Sequence, residues 1–272
     1  MEVMYEAEML TLDILCDRSK NAVDVGAYTG VYIQELISRS HHVYAYEPLP
    51  WLVKTLRHLF LSHPVSVQEV ALFNRQGAAT LYTPRYTNPA ENVDRFVDEC
   101  SSLTQTFENM CQQYPSRFTE VRSMQVHTTT LDKENLSNVG FIKIDVEGAE
   151  KEVLAGARNT LQKDRPNLLI EIEERHRRGA TQRIPAYLQS LGYEGYFLAE
   201  GKSYSMQQFD AHTLQQGKVF PGSRDTRYPL YIYNFLFLPA EKEDIKARLL
   251  HRFPLAQPLP RSIGVHPAPL PV

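Results

Sequence analysis

The chain has 272 residues, 43% of them hydrophobic and 22% charged, with a formal net charge of −3. That balance fits a globular chain able to bury its own core and argues against nucleic acid or an anionic membrane as the main partner. No apolar run reaches the roughly eighteen residues of a membrane-spanning helix, and the acidic start MEVMYEAEML lacks the basic-then-apolar order of a secretion signal.

Residues 2–16 carry Val3, Met4, Ala7, Leu10, Ile14 and Leu15 at helical spacing. NAVDVGA then reads as a buried strand and VYIQELISRS as a helix, with Ile33, Leu36 and Ile37 on one face. HHVYAYEP is a second strand, stopped at Pro48, followed by the helix WLVKTLRHLF and a third strand, VSVQEVAL. AATLYTP, after the turn NRQG, reads as a hairpin return. Residues 85–125 are polar and break the rhythm, which predicts a partly helical, lid-like insertion. VGFIKIDVEG is a strongly apolar strand, and AEKEVLAGARNTLQ a helix with acids at its start and bases at its end. NLLIEIE, the helix IPAYLQSLGY, and the strands GYFLAE and PLYIYNFLFLP complete the domain. The alternation predicts a mainly parallel sheet covered by helices on both faces, with one late strand antiparallel at or near an edge. Residues 1–253 form one domain in this reading, and the proline-rich 254–272 a flexible tail. Cys16, Cys100 and Cys111 are odd in number without paired metal spacing, so they read as reduced thiols of a cytoplasmic protein.

The first strand ends in DVGAYTG. Gly26 and Gly30 read as clearing room for a ligand, with backbone N–H groups and the start of a helix near Thr29 facing it. Packing alone is the competing reading of the two glycines. Glu47 ends the second strand 21 residues after Gly26, where a carboxylate accepts from both hydroxyls of a bound ribose. A nicotinamide dinucleotide and S-adenosylmethionine both fit that far. Tyr28 stands where a dinucleotide site needs its second glycine, and Asp24 offers a carboxylate to an ammonium group, so the balance favours the methyl donor.

VDVGAYTG resembles the first motif of class I S-adenosylmethionine-dependent methyltransferases. FIKIDVEGAEKEVLAGA followed by RPNLLIEI resembles the FkbM-type methyltransferases more specifically, as do VALFNRQGAATLY, TTTLD and the serine pair of SSL at 101–103. The likeness covers roughly residues 20–175. It implies a Rossmann-like sheet of about seven strands with the last antiparallel, and methyl transfer to oxygen, often on a sugar or natural-product hydroxyl. It also implies that Asp24, Gly26, Ala27, Tyr28 and Gly30 hold the methionine end of S-adenosylmethionine and Glu47 with Pro48 the ribose. Adenine then rests on backbone groups near Ala71, where many class I enzymes carry an acid.

Asp145, at the end of the fourth strand, reads as the acceptor base or as a cap on the following helix. Asp145 and Glu171 also offer oxygen ligands for a metal, but no third ligand is evident at useful spacing, so metal-free transfer ranks first. Lys143 reads as a buried cation or ion-pair partner. Glu173 reads as a partner of Asp145 or a solvated strand end, His176 as a surface turn ahead of a base, and Arg175, Arg177 and Arg178 as a solvated loop ahead of an anion contact. Trp51 reads as packing on its helix, and Phe96, Phe107 and Tyr114 as pocket lining or as a small core within the lid. The partner is then a small hydroxylated acceptor, with no membrane and no nucleic acid; a homo-oligomer stays open. A methyltransferase acting on RNA or protein, a non-catalytic S-adenosylmethionine-fold subunit and a nicotinamide-dependent oxidoreductase are the competing functions.

Overall fold

The computed structural model describes residues 7–88, 93–104, 118–215, 218–220, 223–224 and 230–256. A short helix α1 (Leu12–Leu15) precedes β1 (Asn21–Val25), α2 (Val31–Ile37), β2 (Val43–Tyr46), α3 (Pro50–Leu59) and β3 (Val65–Gln68). Next come β4 (Ala71–Leu72), β5 (Gly77–Asn88), β6 (Val93–Phe96), β7 (Phe118–Thr129) and β8 (Val139–Ile144). They are followed by α4 (Glu150–Gly156), α5 (Arg158–Asp164), β9 (Asn167–Glu171), α6 (Ala180–Ser190), β10 (Tyr193–Ala199), β11 (Lys202–Ser205) and α7 (Ala211–Leu214). The last elements are β12 (Lys218–Phe220), β13 (Ser223–Arg224), β14 (Asn234–Pro239) and α8 (Glu243–Arg252).

The main sheet has eight strands in the order β11-β10-β14-β9-β8-β1-β2-β3. Strands β3, β2, β1, β8 and β9 run parallel, and β14 is antiparallel to both β9 and β10. The antiparallel strand is therefore interior, and the added edge is β11, hairpinned onto β10. Adjacent residues on one strand serve opposite cores: Ala22 packs with Ile33, Leu36, Val53, Leu56 and Leu249, while Val23 packs with Val153, Leu161, Ile184 and Leu188. This is why the central strands lack polar alternation.

Several sequence readings change. The hairpin return and the described parts of 85–125 build a second sheet, β4-β7-β5-β6, with a short 3₁₀ turn at Asp98–Cys100; in it β5 pairs antiparallel with β7 along most of its length. Both strands carry polar residues on both faces, so neither shows an amphipathic period. Phe107, Cys111 and Tyr114 lie outside the described residues, as do 257–272 of the tail. The start of the tail docks: Ser203 N–H donates to Pro254 O and Ala256 N–H to Ser203 O. The expected helix 149–162 is two helices meeting at Ala157. Asp132, of the TTTLD string, accepts from Asn159 N and Thr160 N and caps the second one.

The two glycines after β1 are explained by the chain itself. Gly26 sits at φ +82°, and a Cβ there would lie 1.8 Å from the carbonyl oxygen of Asp145 on the neighbouring strand segment. Gly30 sits at φ +83°, where a Cβ would lie 2.7 Å from Leu56 and Phe60 of the α3 region. The packing reading thus holds at both positions, and clearance for a ligand is not what first demands them. Gly26→Ala should lose roughly 2–5 kcal/mol of stability from left-handed strain plus overpacking. Urea unfolding checks this; an unchanged midpoint would show that the β1–β8 approach can relax.

Candidate active site

The direction of chain progression across the sheet reverses at β1, between β2 and β8, and in such sheets the crevice beyond the carboxyl ends of the strands is the ligand position. Here that crevice gathers the loop 26–30 after β1, Glu47 after β2 and Asp145 after β8.

The loop uses its N–H groups internally. Gly26 and Ala27 both donate to Tyr46 O, Gly30 donates to Ala27 O, and Tyr28 N–H donates to Glu47 Oε2 at 3.0 Å. The expected row of N–H groups facing a ligand is therefore not what these four provide. Helix α2 begins at Val31, two residues later than expected, with seven residues. Tyr28 holds a positive φ of 45° and its hydroxyl donates to Glu99 Oε2 at 3.1 Å. Ala27 is buried, Pro48 is half-buried, and Ala71 opens β4 opposite Thr128, buried among Leu49, Leu81 and Val126.

Glu47 is buried and accepts a second bond from Leu49 N–H on Oε1 at 2.9 Å, so it ties the first loop to the second. Burial pushes its carboxyl up to about 7, against the lowering effect of those two N–H groups. Asp24, 1% exposed, is likewise pushed up to about 7 by burial, offset by Lys143 and reinforced by Asp145. Asp24 Oδ2 is buried with no hydrogen-bond partner. Lys143 stands opposite Asp24 in the β1–β8 register. It is buried, donates to Asp145 Oδ2 at 3.0 Å and lies over the Tyr32 ring. Asp145 keeps 31% of its side chain exposed.

The string IDVEGAE builds a tight turn. Glu147 and Gly148 take φ of +55° and +106°, and Glu150 Oε1 accepts from Gly148 N–H at 2.7 Å. Ser102 of the SSL string donates to Glu147 O at 2.6 Å, so the second sheet is anchored on this turn. A further anchor is Trp51, whose indole N–H donates to Asp98 while Arg122 stacks over its ring. Trp51 thus joins the insertion to α3 and is not simply packed on its own helix.

Sequence reasoning misplaced the segment after β9. His176 is 4% exposed, and its Nε2 lies 2.7 Å from Glu147 Oε2. Arg175 makes two bonds to Glu173, which also accepts from the Tyr231 hydroxyl, and Arg177 pairs with Glu152. The surface-turn and solvated-loop readings are replaced by a buried contact of His176 with Glu147 and an ion pair of Arg175 with Glu173. The expected pair of Asp145 and Glu171 is not what comes together here: one ligand atom from each of Glu147, Glu171 and His176 lies within 4.8 Å of the others, and Asp145 is not among them. The three come from two separate segments, so no local spacing could have signalled the group.

No helix among the described residues is long and apolar enough to cross a membrane. A family model, the methyltransferase FkbM domain, matches residues 24–194. No curated protein matches the chain. Among solved structures, an FkbM methyltransferase of Methylobacillus flagellatus is 17% identical with a TM-score of 0.48; the match covers 81% of this chain and 44% of that one, less than half its length. A methyltransferase of Streptococcus mutans solved with SAH is 8% identical with a TM-score of 0.46, covering 87% of this chain and 99% of that one. An rRNA methylase of Streptococcus thermophilus is 8% identical with a TM-score of 0.39, covering 86% and 95%. The family match spans more than half of the sequence and includes the first loop, Glu47 and the IDVEGAE turn: the chain belongs to the FkbM methyltransferase domain family, whose methyl donor is S-adenosylmethionine.

Proposed function

We propose that the protein transfers a methyl group from S-adenosylmethionine to a hydroxyl of a small molecule, such as a sugar or natural product, and that the crevice beyond β1, β2 and β8 holds the donor. The observation that carries this reading is Asp24, a buried carboxyl poised near neutrality whose Oδ2 lacks a partner. An ammonium group, which the donor's amino-acid end carries, would complete it. Gly26, Ala27, Tyr28 and Gly30 shape the loop beside it. Each oxygen of Glu47 keeps a second lone pair for a ribose hydroxyl. Pro48 and Ala71 lie on the side assigned to the nucleoside.

The bound donor supplies a methyl on a positively charged sulfur, which passes to the acceptor oxygen and leaves S-adenosylhomocysteine. Asp145 takes the hydroxyl proton as that oxygen gains its methyl, and Lys143 holds the carboxylate in one orientation. Holding acceptor and donor in line can contribute about 7–11 kcal/mol in favourable cases. The second sheet, anchored at Glu147, Tyr28 and Trp51, serves as the wall or lid over both.

Single-turnover transfer of a labelled methyl to a panel of hydroxylated acceptors tests the reaction. Label on an alcohol oxygen supports it; label on RNA or protein alone, or donor binding without transfer, favours a competing function. Asp145→Asn should keep donor binding and lose at least about a hundredfold in turnover; full activity would remove Asp145 from the chemistry.

The carboxyls of Asp24 and Glu47, held up to about 7, keep protons that an ammonium and a ribose diol require them to release. Donor binding at pH 7 should therefore release protons, and affinity should rise from about pH 5.5 to pH 7.5. Calorimetry in buffers of different ionisation enthalpy checks the sign. Zero release with pH-independent affinity would separate these carboxyls from the donor.

A further inference from the structure

Beyond the donor crevice, a second constellation stands at the carboxyl ends of β8 and β9. We propose that Glu147, Glu171 and His176 form a binding site for one divalent first-row cation. Glu147 sits in the left-handed turn after β8, Glu171 ends β9 opposite Asn234 of β14, and His176 follows β9. Their ligand atoms all lie within 4.8 Å of one another. The side chains of His176 and Glu147 are 3% and 14% exposed, and Glu171 is 9% exposed as a residue.

The contact between His176 and Glu147 is the telling one. Nε2 and Oε2 are 2.7 Å apart, yet they are not aligned as a hydrogen bond, and Nε2 is buried without a hydrogen-bond partner. A short, misaligned pair is the geometry of two neighbouring ligands of one ion. With both about 2.1 Å from a metal, they subtend about 80° at it, and the oxygen stands about 50° off the imidazole lone-pair axis. A bare Nε2 facing a carboxylate is repulsive, and a misaligned N–H satisfies it poorly; a cation between them resolves both. Arg175, the nearest guanidinium, acts on Glu147 only through its charge. Arg175 directs its two bonds to Glu173, and Glu150 accepts from Gly148 N–H.

The scaffold holds Glu147 and His176 through their backbones, and Glu171 through the β9–β14 ladder. Ser102 grips the Glu147 carbonyl, and His176 N–H donates to Glu173 O. Two carboxylates and one imidazole suit Mn²⁺, Fe²⁺ or Zn²⁺ better than the all-oxygen shells that Mg²⁺ prefers. Three protein ligands leave positions open, where the oxygen of an acceptor can bind and be acidified. That role rests on the acceptor reading above; cation binding does not.

Purified full-length protein, stripped with chelator, is titrated with Mn²⁺ alone and followed by electron paramagnetic resonance. One Mn²⁺ per chain is expected, with a nitrogen coupling from one imidazole. Glu171→Gln and Glu147→Gln should each weaken binding at least tenfold, and His176→Ala should abolish the nitrogen coupling. Absence of stoichiometric binding, or unchanged affinity in both glutamine variants, overturns the site. So does bound Mn²⁺ without nitrogen coupling in the wild type, a reading independent of whether any variant folds. A donor titration on the same samples separates the two proposals. A chain that binds the donor but takes up no Mn²⁺ sinks the cation site alone, whereas a chain that binds Mn²⁺ but not the donor sinks the donor reading and leaves the site standing.

Discussion

Strands β1 and β8 approach so closely that the carbonyl oxygen of Asp145 occupies the space a side chain at residue 26 would need. Much of the candidate site follows from that contact. It demands glycine in a left-handed conformation after β1, and so turns the chain sharply toward Tyr28 and α2. It fixes the register in which Asp24 stands opposite Lys143, and Lys143 in turn reaches Asp145. A slip of one residue would send every one of these side chains to the other face of the sheet. The positions of the acids are thus a property of the sheet centre, and the loops inherit them.

The same end of the sheet concentrates buried charge. Asp24, Glu47 and Glu150 are all pushed up to about 7, with burial the largest cause in each. Raised folded values mean that ionising these groups costs stability as pH climbs from the ordinary carboxylate range through about 7. Apolar residues of similar size would make a more stable fold. For Asp24 and Glu47 the proposed donor offers a reason to keep them, whereas Glu150 serves the turn through Gly148 N–H. Glu47 serves both ends, since its two bonds to Tyr28 and Leu49 N–H also staple the two loops together.

Much of the fold was legible because the central strands are apolar on both faces and the helices keep a clear period. The strands of the second sheet were not: β5 holds Pro84 in mid-strand and β7 scatters Glu120, Arg122, Ser123, Gln125 and His127 among Val121, Met124 and Val126, so neither resembles a buried element. Helix α8, with few apolar residues, went unread for the same reason, although Leu249 anchors it in the core. DVGAYTG and YEP pointed to the loop after β1 and to Glu47, but the reason for the glycines was not legible, because the atom that crowds Gly26 lies on a segment more than a hundred residues away. His176 was misread because ERHRRG is locally as polar as any surface turn, and Glu147, which meets it at 2.7 Å, comes from the turn after β8.

The central claim is that the crevice beyond β1, β2 and β8 receives S-adenosylmethionine through Asp24 and Glu47. A crystal structure with S-adenosylhomocysteine measures this most directly. The account predicts the ribose hydroxyls within hydrogen-bond distance of Glu47 and the amino group directed at Asp24, beside the loop 26–30. A nucleoside lodged elsewhere, with Asp24 Oδ2 still without a partner, would contradict it.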